Sequence, residues 1–164
     1  MSQSSLSTYL NDHLAGSVVA LELLDHLMKL QAGTTRERQL AEIRAEVAED
    51  QQSLQNMLRQ VGGKESLARK AAGWLTGKVG RAKLRLDDRD SGRLEVLEAL
   101  ETLGLGIQGK AALWRALAVV GGGLPQLRAV DFSALEQRAN RQFQRVDELR
   151  LQAAATALSF IDDS

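Results

Sequence analysis

Leu40, Ile43, Val47, Asp50, Leu54, Met57 and Val61 follow one another at strictly alternating steps of three and four residues. That rhythm places seven side chains on one stripe of an α-helix and would scatter them over both faces of a strand. Two other stretches repeat it, and a third keeps the same helical face with one longer step of seven. Leu6, Leu10, His13, Ser17, Ala20, Leu24 and Leu27 do so in the first, with Leu14, Val18, Leu21 and Met28 on an adjoining strip. Leu97, Leu100, Ile107, Ala111, Trp114 and Leu117 form the third, and Phe132, Leu135, Ala139, Gln142, Val146, Leu149, Ala153 and Thr156 the fourth. With a single proline and abundant Leu, Ala, Glu, Gln and Arg, the chain is expected to be all-α.

The punctuation between these stretches sets their arrangement. Gln31-Ala32-Gly33 closes the first helix, and Thr34 with Glu37 has the spacing of a capping box that opens the second. A link this short makes the first two helices an antiparallel hairpin. Folding it about Gly33 brings Asp50 level with Gly16, within about one helical turn (5.4 Å) of His13. Gly62-Gly63 stops the second helix, Asp87 to Gly92 turns the chain, and Gly121 to Pro125 separates the third helix from the fourth, capped by Asp131 or by Ser133 with Glu136. The expected helices are about 5–31, 35–61, 93–120 and 132–160, with a partly helical crossover at 65–85. The 164 residues fit one domain of ordinary globular composition.

Two hairpins joined by one long crossover is a four-helix-bundle connectivity, and it resembles the ferritin-like superfamily. The strings YLNDHLAGSVVALELL and LGIQGKAALWRAL, with the closing helix, are similar to a set of uncharacterised bacterial bundle proteins, a likeness that implies no activity. The di-iron members of the superfamily imply one carboxylate from each of two helices and a Glu-x-x-His from each of the other two. Glu22, Glu46, Glu101 and Glu148 fall near one level, yet both histidines, His13 and His26, lie on the first helix. Half of the ligand set is therefore missing. The remaining metal candidates are His13, Asp50, Glu22, His26 and Glu46, and otherwise no cofactor is expected.

Asp50 is the one residue of its seam that does not belong in oil. An unpaired buried carboxylate is costly, so it should meet His13, Arg145 or both, in a layer with Gln108 and Gln142. Such a layer is a device that fixes helix register, an acid–base couple or a ligand site, and the first is the simplest. His26, one turn beyond Glu22, is expected to pair with it. Gly104-Leu105-Gly106-Ile107-Gln108-Gly109 matches the dinucleotide fingerprint by letter but has no strand before it. Three glycines inside a helix still need a reason, and close approach of another helix is the favoured one.

Lys64 to Arg85 carries seven basic residues against Glu65, a local charge of +6 in a chain whose formal net charge is zero. It is expected to lie as a strap on the acidic faces of its own bundle, with binding to an anionic surface as the alternative. Basic residues interleaved with aromatics, the mark of single-stranded nucleic-acid binding, are represented only by Trp74, so nucleic acid is not an expected partner. The absence of cysteine excludes disulfides and thiol chemistry. No secretory signal and no membrane-spanning stretch is read, which points to a cytoplasmic protein. No catalytic Ser, His and acid arrangement is legible. The expectation is a non-catalytic bundle that associates with itself, as a homodimer, or with another protein; the alternative is a metal or small-ligand binder using the interior near His13 and Asp50.

Overall fold

The computed structural model describes residues 2–66 and 89–159. Four helices account for most of them: α1 (Ser2–Leu30), α2 (Thr35–Gln60), α3 (Arg89–Gly121) and α4 (Phe132–Ala157), with a 3₁₀ turn at Pro125–Leu127. α3 starts earlier than the sequence suggested, at Arg89 within the run read as a turn. Asp90 and Ser91 fall in its first turn, where acidic and small polar residues are tolerated. The expected crossover at 65–85 lies, after Ser66, outside the described residues, and so does the proposed use of its basic side chains.

Caps fix the hairpin turn. Gly33 takes a left-handed φ of +79°, Thr34 accepts from the Glu37 backbone N–H, and the Glu37 carboxylate accepts from the Gly33 N–H at 2.7 Å. The acid thus reaches one residue further back than in the usual capping box.

Side-chain contacts give the directions of the helices. Asp25 meets Arg44 and Ser17 meets Gln51, so α1 and α2 are antiparallel. Arg115 meets Glu136 and Arg150 meets Glu101, so α3 and α4 are too. His26 near the end of α1 touches Glu95 near the start of α3, while Asn11 near the start of α1 touches Lys64 and Ser66 just after α2. α2 therefore finishes at one end of the bundle and α3 begins at the other. This is a four-helix bundle of two antiparallel hairpins, with α1 beside α3 and α2 beside α4.

The seams are the core. Every member of the α2 stripe, Asp50 included, is buried. Leu97, Leu100, Ile107, Ala111, Trp114 and Leu117 are buried in α3, as are Phe132, Ala139, Gln142, Val146, Leu149 and Ala153 in α4. Thr156 at the end of the α4 seam is exposed. In α1 the buried set shifts around the helix: Leu10, Asn11, Leu14, Ala15 and Val19 in the first half, Leu24 and Leu27 in the second. His13 lies at the edge of that surface and is only half-buried.

Candidate functional site: a buried polar layer across three helices

Asp50 sits halfway along α2 with 1% of its surface exposed. A carboxylate there has to be met by donors, and two helices supply them. Lys110 of α3 donates to Oδ2 at 2.5 Å, and Gln142 of α4 donates to the same oxygen at 3.1 Å. Arg138 of α4 grips Oδ1 through Nε at 2.9 Å and through Nη2. Lys110 also donates to Gln142 Oε1 at 2.5 Å, which closes a triangle of three side chains from three helices. Charge-assisted bonds of this kind are the strong ones, and they are needed to offset the desolvation of the ions. Burial holds the Lys110 amine below the usual lysine range, with Asp50 opposing that shift.

A second tier lies on the α2–α4 side. Arg138 bonds Glu49 at 2.9 Å, and Arg145 spans Glu46 at 2.7 Å and Glu42 at 3.2 Å. These are partly solvated pairs that tie two helices whose backbones seldom come close.

Several assignments made from sequence change. The Asp50 carboxylate meets neither His13 nor Arg145: Arg145 is taken by Glu46 and Glu42, and Lys110 and Arg138 stand in its place. His13 packs edge-on against Tyr9, with ring centroids 4.8 Å apart. Burial holds its pKa below the usual value, partly opposed by the Asp12 charge. Gln108 is exposed and takes no part in the layer, whereas Gln142 is fully buried within it. Glu22 is exposed, and His26 pairs with Glu95 of α3 at 2.6 Å instead of with Glu22. The metal candidates His13, Asp50, Glu22, His26 and Glu46 are not brought together. Among the described residues no group of three or more His, Asp or Glu side chains is placed to hold a metal ion.

Two hollows among the described residues lie away from the polar layer. A hollow of about 10 Å³ lies at the bundle end among Leu27, Leu40, Val96, Leu100, Leu149 and Ala153. That is the volume of about one water molecule, in apolar surroundings that do not favour one. A broader, open depression borders Asp25, Met28, Lys29, Ala32 and Glu37 at the hairpin turn. Neither touches Asp50, Lys110 or His13.

Three residues of this architecture were missed from sequence. Lys110 continues the seven-residue step between Leu103 and Leu117, both buried, and that step was the available signal. Arg138 lies one turn before Gln142 and carried the same kind of signal. Asn11, also buried, donates to the carbonyls of Ser7 and Lys64 and accepts from the Ser66 N–H at 2.9 Å, which pins the start of the connection against α1.

The glycine triplet of α3 is helical throughout. A Cβ at Gly104 would lie 3.5 Å from the Phe143 ring, an ordinary contact, and at Gly106 and Gly109 it would meet nothing within 4 Å. Close packing inside the bundle thus accounts for none of the three among the described residues. Comparison with known protein families, with curated proteins and with solved structures gives no match. No helix among the described residues is long and apolar enough to cross a membrane.

Proposed function

We propose that this chain is a non-catalytic helical bundle that works by binding protein, a copy of itself or another, through the outer face of α3. The observation that carries the reading is the composition of that face. Leu105 is 69% exposed and Val119 85%, and Val120, Ala112 and Ala116 share their side of the helix. From Leu105 to Gly123 the only exposed charged side chain is Arg115, because the Lys110 amine is turned inward. The outer face of α2 shows the ordinary alternative: Arg38, Gln39, Glu42, Glu49, Gln52, Asn56 and Arg59 all stand in solvent. Exposed apolar surface depleted in charge is characteristic of the centre of an interface.

The polar layer supports the same assignment. Asp50 already accepts four hydrogen bonds, so the layer is occupied in holding α2, α3 and α4 in register. Metal or small-ligand binding near His13 and Asp50 has correspondingly less support. The ferritin-like resemblance belongs to the same proposal, as a bacterial, cytoplasmic bundle in which side-chain cations stand where other bundles bind metal.

Site-specific photo-crosslinking tests the reading. A photoreactive residue at Ala112, in the full chain expressed in its own cells, is expected to give discrete protein adducts, and one at Ala45 on the exposed face of α2 is not. No adduct from position 112 would overturn the assignment of the face.

A further inference from the structure

Resting on the reading of α3 as the binding face, we infer that its occupant is a second copy of the chain, laid antiparallel so that Glu101 of each copy meets Arg115 of the other. Leu105, Gly109, Ala112, Ala116 and Val119 recur at steps of four and three, the spacing of a helix–helix seam, on the side of α3 turned away from Ile107 and Trp114 in the core. Flanking this seam at seven-residue intervals are Glu101, Gln108 and Arg115, all exposed. The row thus reads acid, neutral, base.

In an antiparallel pair of identical helices the same flank of each faces the other, so residue order is reversed across the contact. Glu101 then lies opposite Arg115, Gln108 opposite Gln108, and Arg115 opposite Glu101. A two-fold axis needs a self-complementary surface of this kind, whereas in a parallel pair the row would face the partner's opposite flank, where Gly106 and Val120 carry no charge to answer it. The present partners of these side chains leave them available. Arg115 lies 3.4 Å from Glu136 and Glu101 3.8 Å from Arg150, and the side chains of Arg115 and Glu101 remain 65% and 51% exposed. Two of the three glycines now have a reason. With no side chain at Gly106 and Gly109, the opposing helix can approach closely and seat Leu105 over bare backbone, which offsets the helix propensity lost at each.

One helix from each copy is a small contact, roughly 30 Å long. It falls at the low end of specific interfaces, so the dimer is expected to be reversible, dissociating in the micromolar range.

Sedimentation equilibrium on the purified full chain, wild type and charge variants, reads this directly. The wild type is expected to pass from monomer to dimer as its concentration rises from about 1 to about 300 μM. Glu101→Arg alone and Arg115→Glu alone each place like charges together at two points per dimer and should weaken association roughly tenfold or more. An equimolar mixture of the two variants restores all the opposite pairings and should dimerise at least as well as wild type. Recovery on mixing also shows that the variants are folded. The inference is overturned if wild type stays monomeric throughout, or if the charge reversals leave its dimerisation unchanged, or if mixing fails to restore it. A monomeric chain that still gives adducts from position 112 with a different protein would sink the second copy alone. Absence of any adduct would sink the wider reading with it.

Discussion

At the scale of single residues, the two positions most conspicuous in the sequence have opposite fates. Asp50 was legible because a carboxylate inside an otherwise apolar stripe must be either misplaced or paired, and it is paired. His13 shares a seam position with residues that are buried, but the covered surface of α1 rotates around the helix along its length. Asn11 and Ala15 lie inside while His13 stays at the edge beside Tyr9. The spacing of one helix cannot show this, because burial is set by what packs against each turn, as Lys64 and Ser66 do at Asn11. His13 has a consequence for pH dependence. Burial lowers its folded-state pKa, so the unfolded chain takes up the proton first as the pH falls. Its contribution to stability is complete above the unfolded value of about 6.5 and is lost as the pH drops through the lower folded value. Urea midpoints between pH 7.5 and 5 should therefore fall less steeply in His13→Gln than in wild type, and parallel profiles would show that His13 titrates alike in both states.

At the scale of elements, the helices and their order were readable because each stripe keeps its period for six or seven turns. The breaks were less so. α3 begins inside a run of acids, Ser and Gly that reads as a turn, because nothing local forbids those residues in a first helical turn. The end of α2 is more tightly specified than its sequence suggests. Gly62 takes φ +76° and the Gly63 N–H bonds the Leu58 carbonyl at 2.9 Å, which closes the helix in a Schellman motif. A Cβ on Gly63 would stand 2.3 Å from Leu58 Cδ1 and 2.5 Å from Ser7 Oγ. Leu58 is fully buried, so it can yield only by disturbing its neighbours. Gly63→Ala is expected to cost about 1–3 kcal/mol by overpacking, measured by denaturant unfolding. A variant as stable as wild type would mean that the Leu58 side chain has free space to move into.

At the scale of the whole molecule, the interior layer and the outer face of α3 divide the work. The layer joins α2 of one hairpin to α3 and α4 of the other, and a slip of any of the three by one turn would leave a buried charge alone. Its cationic members escaped the sequence reading because lysine and arginine at seam edges usually extend into solvent, and only the fold brings Lys110 and Arg138 onto one carboxylate. The outer face of α3 escaped it for a different reason: the glycines there pointed to close approach of another helix, but the sequence does not say which helix or from which side. The layer is spent within the fold, and a mutant cycle on Asp50 and Lys110 tests that most directly, by urea unfolding at neutral pH. Asp50→Leu should lose about 3–5 kcal/mol by leaving Lys110 and Arg138 facing each other, and adding Lys110→Met should recover part of that loss. A neutral or stabilising Asp50→Leu, or a double variant that loses the sum of the two single effects, would contradict it and return the Asp50 carboxylate to the list of groups free to bind something else.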